Sequence, residues 1–129
     1  MTLLDSSIWI EVFRKRTPLA LTTVVDFEDV VTCLPVVQEV LQGFGDERAF
    51  RLAREAMLSM PMVESPLSEG LFLEATSLYR AARKTGRTVR SSVDCLIAAC
   101  ALRHDLEVLH RDRDFGVLAA VSSLRERQV

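Results

Sequence analysis

Apolar positions along the chain fall into two kinds of pattern, brief continuous runs and longer stretches with helical spacing. Residues 2–6 form a short apolar run that reads as a strand, and Ile8, Trp9, Val12 and Phe13 follow at i, i+4 spacing, with Ser6 or Ser7 offering an N-cap oxygen. After Pro18 the pattern predicts a helix over 19–27, and 30–33 is a strand rich in β-branched residues. Pro35 suits the first turn of a helix over 36–44 that Gly43 and Gly45 end, and 46–58 is again helical in period. Beyond Pro61, residues 62–64 read as a short strand. A long helix follows over 67–84 with Gly86 as its stop, then a helix over 91–102, a strand over 107–110 and a short helix over 114–121. Short strands alternating with amphipathic helices predict an α/β domain on a largely parallel sheet of four to five strands.

A chain of 129 residues is the size of one domain with one core, so residues 1–129 are read as a single unit. Hydrophobic residues make up 49% and charged residues 26%, which excludes a disordered chain. With six Phe, one Tyr and one Trp, the core is built from Leu, Val and Ala, and a stacking platform for single-stranded bases is not expected. No run approaches the roughly 20 apolar residues of a membrane span, and the first apolar stretch lacks the cationic lead of a signal peptide. Cys33, Cys95 and Cys100 are odd in number and fit no CxxC spacing, so they read as buried reduced thiols of a cytoplasmic protein. His104 and His110 lack the spacing of a zinc site.

The net charge of −2 conceals an asymmetry. Residues 26–74 carry ten acids against three bases, whereas 75–93 hold Arg80, Arg83, Lys84, Arg87 and Arg90 without one acid. Such a run is a solvated helix face or a track for a polyanion.

Ligands of parallel α/β sheets gather at the carboxyl ends of the strands, which singles out acids that follow strands. Asp5 closes the first strand, where it also suits a turn or cap, and Asp112 follows the 107–110 strand, with Asp114 able to cap the last helix. Asp94 opens a helix that is apolar on nearly every side, with Ala98 and Ala101 on its face; Ser91-x-x-Asp94 also fits a capping box. Glu39 lies among Pro35, Val36, Val37, Val40 and Leu41, a setting that holds an acid only at an edge or with a partner. Four carboxylates at the edge of apolar structure are expensive singly, and a shared hard cation, Mg²⁺ or Mn²⁺, resolves that cost and suits phosphodiester hydrolysis. No Gly-rich phosphate loop, nucleophile elbow or HExxH offers a competing chemistry. A receiver-like domain requires a lysine beside its acids, and Lys15 and Lys84 are not so placed. A noncatalytic module would use the acids for caps and turns alone.

The segments Leu4-Asp5-Ser6-Ser7-Ile8-Trp9-Ile10, Glu39 in its helix, Arg90-Ser91-Ser92-Val93-Asp94-Cys95-Leu96-Ile97-Ala98-Ala99 and His110-Arg111-Asp112-Arg113-Asp114-Phe115 together resemble the PIN domain, and in particular the VapC toxins of bacterial toxin–antitoxin pairs. The resemblance implies a PIN-like α/β/α sandwich, Mg²⁺-dependent endoribonuclease activity on structured RNA such as tRNA, a homodimer, and neutralisation by a VapB antitoxin. It further implies that Asp5, Glu39, Asp94 and Asp112 form the catalytic, metal-holding quartet, with Asp5 and Asp94 as direct ligands and Asp114, Ser6 and Ser91 as auxiliaries. Ser6 stands where Thr is common, which keeps the hydroxyl. On this reading Arg83, Arg87 and Arg90 belong to the RNA track, because phosphates flanking an acidic centre need cations. Trp9 and Phe13 are candidates for the dimer surface or, for Trp9 above all, the core.

Overall fold

The computed structural model describes residues 1–129. Five strands, β1 (Thr2–Leu4), β2 (Val30–Cys33), β3 (Met62–Val63), β4 (Glu107–His110) and β5 (Arg125–Gln128), form one parallel sheet in the order β3-β2-β1-β4-β5. Six helices connect them: α1 (Ser6–Val12), α2 (Leu34–Gln42), α3 (Glu47–Leu58), α4 (Glu69–Lys84), α5 (Ser92–Arg103) and α6 (Asp114–Ala120). The chain steps from β1 outward to β3, returns across β1 to β4, and steps outward again to β5. With right-handed crossovers, α1–α3 then cover one face and α4–α6 the other, and the helices of each set pack on one another. The expected α/β/α sandwich is thus present, with five strands.

The strands that matter for function are buried on both faces. Thr2, Leu3 and Leu4 of β1 and all of β2 are buried, as continuous apolar runs in a doubly covered parallel sheet should be. On the α4–α6 side, α5 is buried nearly all round, with Ile97, Ala98, Cys100 and Ala101 at 0% exposure. Its small side chains bring the helix axis close to neighbouring elements, which sets where the first turn and its Asp94 lie.

Most predicted elements stand, and the differences have physical causes. Residues 19–27 hold no α-helix. They form two single 3₁₀ turns, Leu21–Thr23 and Phe27–Asp29, because the run Thr22-Thr23-Val24-Val25 is β-branched and Asp26 turns the chain by accepting from the Glu28 N–H. The first strand ends at Leu4 and the N-cap of α1 is Asp5 rather than Ser6 or Ser7. The long helix begins at Glu69, capped by Ser68, whose hydroxyl accepts from the Leu71 N–H at 3.2 Å. Gly86, at φ 82°, makes the left-handed step that ends the helix region. β5 was not anticipated, since Arg-Glu-Arg-Gln carries no apolar alternation; it is an edge strand whose backbone pairs with β4. Trp9 is 4% exposed and belongs to the core, stacked 6.0 Å from the ring of Phe13, so it does not supply surface for a partner. The three cysteines are buried and free, as expected.

The close fit of α5 generates a test. Ala98→Leu inserts a branched side chain into a fully buried position and is expected to cost about 1–3 kcal/mol, read as a lower urea midpoint at unchanged slope.

Candidate active site

A sheet ordered β3-β2-β1-β4-β5 changes direction between β1 and β4, and the crevice beyond the carboxyl ends of those two strands is where such sheets bind ligands. Asp5 follows β1 there, and Asp112 follows β4. The β1–β4 ladder continues one residue past the strand, as the Asp5 N–H donates to the Leu109 carbonyl at 2.9 Å. Asp5 divides its carboxylate between two tasks. Oδ2 caps α1, accepting from the Ser7 N–H at 3.0 Å and from the Ser7 hydroxyl, while Oδ1 is buried with no hydrogen-bond partner. Ser7 in turn accepts from the Arg111 N–H at 2.9 Å, so this hydroxyl ties Asp5 to the loop that carries Asp112.

Glu39 reaches the crevice from α2, half-buried, and accepts from the Ser6 hydroxyl at 2.9 Å. Asp94 enters from the first turn of α5 at 3% exposure, and its Oδ2 also has no hydrogen-bond partner. Carboxylate oxygens of Asp5, Glu39 and Asp94 all lie within 4.8 Å of one another, and a second trio of Asp94, Asp112 and Asp114 meets the same limit. Asp94 is therefore the hinge of two overlapping acidic groups.

The second group is organised by Arg90 and His110. Asp114 is buried, and its Oδ2 accepts from both the backbone N–H of Arg90 at 3.0 Å and Nε of the same residue at 3.2 Å. Asp112 Oδ1 accepts from the Asp114 N–H at 3.0 Å and from Arg90 Nη2 at 3.3 Å. The Asp112 N–H donates to Nδ1 of His110 at 3.1 Å, which assigns the ring proton to Nε2, facing Glu126 of β5. His110 is 1% exposed and its ring lies 5.0 Å from that of Phe115. The polar edge strand thus reaches the site through one imidazole.

Burial and mutual repulsion set the proton affinities. Asp94 is pushed up to about 8, first by desolvation and then by the charges of Asp5 and Asp112. Asp5 is raised by desolvation, against the hydrogen bonds from Ser7. Glu39 is raised by desolvation, against the Ser6 hydrogen bond. Burial likewise pushes the Cys95 thiol up to about 11, which excludes it as a thiolate nucleophile at neutral pH. Two orphaned, buried carboxylate oxygens beside a third carboxylate form the donor set of a hard divalent cation, and the residues present fit such an ion.

The structure brings Asp5, Glu39, Asp94, Asp112, Asp114 and Ser6 into one crevice. Ser91 stands at the N-cap of α5 but makes no side-chain cap; only its carbonyl is used, accepting from the Asp94 N–H at 3.2 Å, so the expected capping box does not form. Asp114 does not cap α6, because Arg90 takes its carboxylate. Arg90 itself is engaged by two of the acids rather than standing free along a track, while Arg83 and Arg87 lie exposed outside the crevice. Ser7, His110 and Glu126 were not singled out for the site. Ser7 had a signal in the doubled serine after Asp5, and His110 in its place at a strand end two residues before Asp112; Glu126 had none.

A parallel α/β protein with carboxylates converging at its switch point has the arrangement of a phosphodiester-cleaving enzyme with an acidic centre. The PIN domain family matches residues 2–121. Ribonuclease VapC11 of Mycobacterium tuberculosis is 35% identical over 131 residues, covering 97% of this chain and 96% of the relative. Among solved structures, VapBC-5 of M. tuberculosis, a member of the VapBC toxin–antitoxin systems, shares the fold at a TM-score of 0.74 and 22% identity, covering 99% of this chain and 98% of that one. VapC20 of the same organism, a toxin that cleaves the sarcin–ricin loop, aligns at a TM-score of 0.69 and 21% identity over 97% and 99% of the two chains. The chain belongs to the PIN-domain family, among its VapC ribonucleases.

Asp94 also gives the metal-free protein a pH dependence. Its folded proton affinity exceeds that of an unfolded aspartate, so the folded state holds the extra proton between about pH 4 and about pH 8, and stability falls as pH rises through that window. In the presence of a chelator the melting temperature is expected to drop between about pH 4 and about pH 8, and Asp94→Asn is expected to flatten the fall. Thermal melts of the two proteins across that range check it.

Proposed function

We propose that this chain is the toxin of a toxin–antitoxin pair, an endoribonuclease that hydrolyses RNA phosphodiester bonds with Mg²⁺, for which Mn²⁺ can substitute. The observation that carries the reading is the pair of buried carboxylate oxygens, Asp5 Oδ1 and Asp94 Oδ2, that no protein donor satisfies. These two acids would hold the cation directly, with Glu39 and Asp112 completing the catalytic quartet. A bound divalent cation supplies stabilisation of the phosphoryl transition state and a more acidic water. Ser6 holds Glu39 in place by its hydroxyl, the Asp114 N–H orients Asp112, and Ser7 fixes Asp5. Glu39 and Asp112 so held accept hydrogens of the attacking water and aim it at phosphorus. Ser91 lines the entrance of the same crevice as an auxiliary.

The substrate is structured RNA such as tRNA, held outside the acidic crevice by cations. Arg80, Arg83 and Lys84 line one shallow groove at the basic end of α4, and no acid forms an ion pair with any of them or with Arg87. Residues 1–129 work as one PIN domain, for β5 lies beyond the matched residues and still completes the same sheet. No helix is long and apolar enough to cross a membrane, in keeping with action in the cytoplasm. A VapB-type antitoxin neutralises the enzyme by presenting a cationic side chain to the acids. The toxin forms a homodimer, for which exposed Ile10 of α1 and Leu52 of α3 supply apolar surface on the side of the early helices.

Two outcomes test this function. Purified protein free of antitoxin is expected to cut bacterial RNA into discrete fragments with Mg²⁺ and not with chelator, and folded Asp94→Asn should lose about 100- to 1,000-fold in rate. Equal inactivity of wild type and variant with both Mg²⁺ and Mn²⁺ would overturn the enzyme reading. The double variant Arg83→Ala, Arg87→Ala should weaken RNA binding and flatten its log–log salt dependence by about 1.4 to 1.8, at about 0.7 per lost phosphate contact on single strands and about 0.9 on duplex; filter binding over a salt series reads it.

A further inference from the structure

The two acidic trios at the switch point share Asp94 but differ in what faces their other oxygens. Asp5, Glu39 and Asp94 receive no cationic side chain, and Asp5 Oδ1 and Asp94 Oδ2 are buried and unpartnered. Asp112 and Asp114, in contrast, are already bridged by a single guanidinium. Arg90 reaches Asp114 through Nε at 3.2 Å and Asp112 through Nη2 at 3.3 Å, and its own backbone N–H holds the same Asp114 oxygen at 3.0 Å.

This bridge is built into the chain path rather than made by a loose surface side chain. Val89, 2% exposed, anchors the backbone on one side of Arg90, and Ser91 begins α5 on the other. The acid it grips through two nitrogens, its backbone N and Nε, is Asp114, itself 3% exposed. Asp112 Oδ1 and Asp114 Oδ2 each already accept two N–H groups, so an ion on this side would have only the other oxygen of each carboxylate and would face the guanidinium's charge. A planar guanidinium, always charged, offers parallel donors to both acids, and a lysine at this position would keep the positive charge without the fork.

We propose that Arg90 is the second cation of this acidic centre, so that the site takes up one divalent ion per chain, on the Asp5–Glu39–Asp94 side, and the guanidinium supplies the other positive charge between Asp112 and Asp114. The inference rests on the reading of the crevice as a divalent-cation site and goes beyond it by fixing the ion count and the side that is filled. Arg90 is a positioning residue for the acids, and its side chain is 61% exposed.

Calorimetric titration of the folded full chain with Mn²⁺, without RNA, tests this independently of activity. The unmodified chain and Arg90→Lys, which keeps the positive charge, are expected to bind one Mn²⁺, and Arg90→Gln two. Two ions in the unmodified chain or in Arg90→Lys, or one in a folded Arg90→Gln, overturns the proposal, and the first two counts decide it even if the glutamine variant does not fold. A chain that binds no Mn²⁺, and whose melting temperature Mn²⁺ leaves unchanged, overturns the cation reading as well, whereas a count of two defeats only the role given to Arg90.

Discussion

Everything at the acidic centre depends on the seam between β1 and β4. Because the strand order reverses there, the two loops leaving the seam diverge to opposite faces of the sheet and open a crevice that the backbone does not fill. The hydrogen bond from the Asp5 N–H to the Leu109 carbonyl carries the ladder one residue past β1, and the Ser7 hydroxyl extends the stitching to Arg111. Two carboxylates on separate strands are thereby held at one point, where dissolved carboxylates would drift apart.

Holding them there is costly, and the fold meets the cost unevenly. Buried acids without donors shift their proton affinities upward until they are neutral or neutralised, and Asp94, with one orphaned oxygen and acids on both sides, is pushed up to about 8. Asp112 and Asp114 are instead bridged within the chain by Arg90, which offsets one of their two charges. The same acidic sequence thus yields a half that is satisfied on folding and a half that demands an external charge. That asymmetry is the physical content of the site.

The supporting layer is mostly outside the acidic residues. His110, fully enclosed, accepts from the Asp112 N–H and turns its other nitrogen to Glu126, so the edge strand β5 steadies the loop at the heart of the crevice. On the other side of the sheet, Ser6 fixes Glu39 across 33 residues of sequence. Small residues along α5 let the helix settle deeply enough for Asp94 to meet both groups.

How much of this could be read from the chain follows from the range of each interaction. The alternation of apolar runs with helical spacing determined the α/β class, nearly every element and the four separate acids, because burial on one face leaves a local periodicity in the residues themselves. The resemblance then placed those acids in one pocket, and the tertiary structure agrees. The sequence could not show β5, since an edge strand is held by backbone pairing and its side chains carry no apolar pattern. Nor could it show that Arg90 belongs to Asp112 and Asp114 rather than to an exposed basic face, whereas the turns within 19–27 follow from local β-branching and the Asp26 turn. The β4–β5 pairs lie 18 residues apart, the Arg90 contacts 22 and 24, and that of Ser7 and Arg111 spans 104. Spacing along a chain carries no record of such pairs; only the closing of the sheet decides which charge meets which.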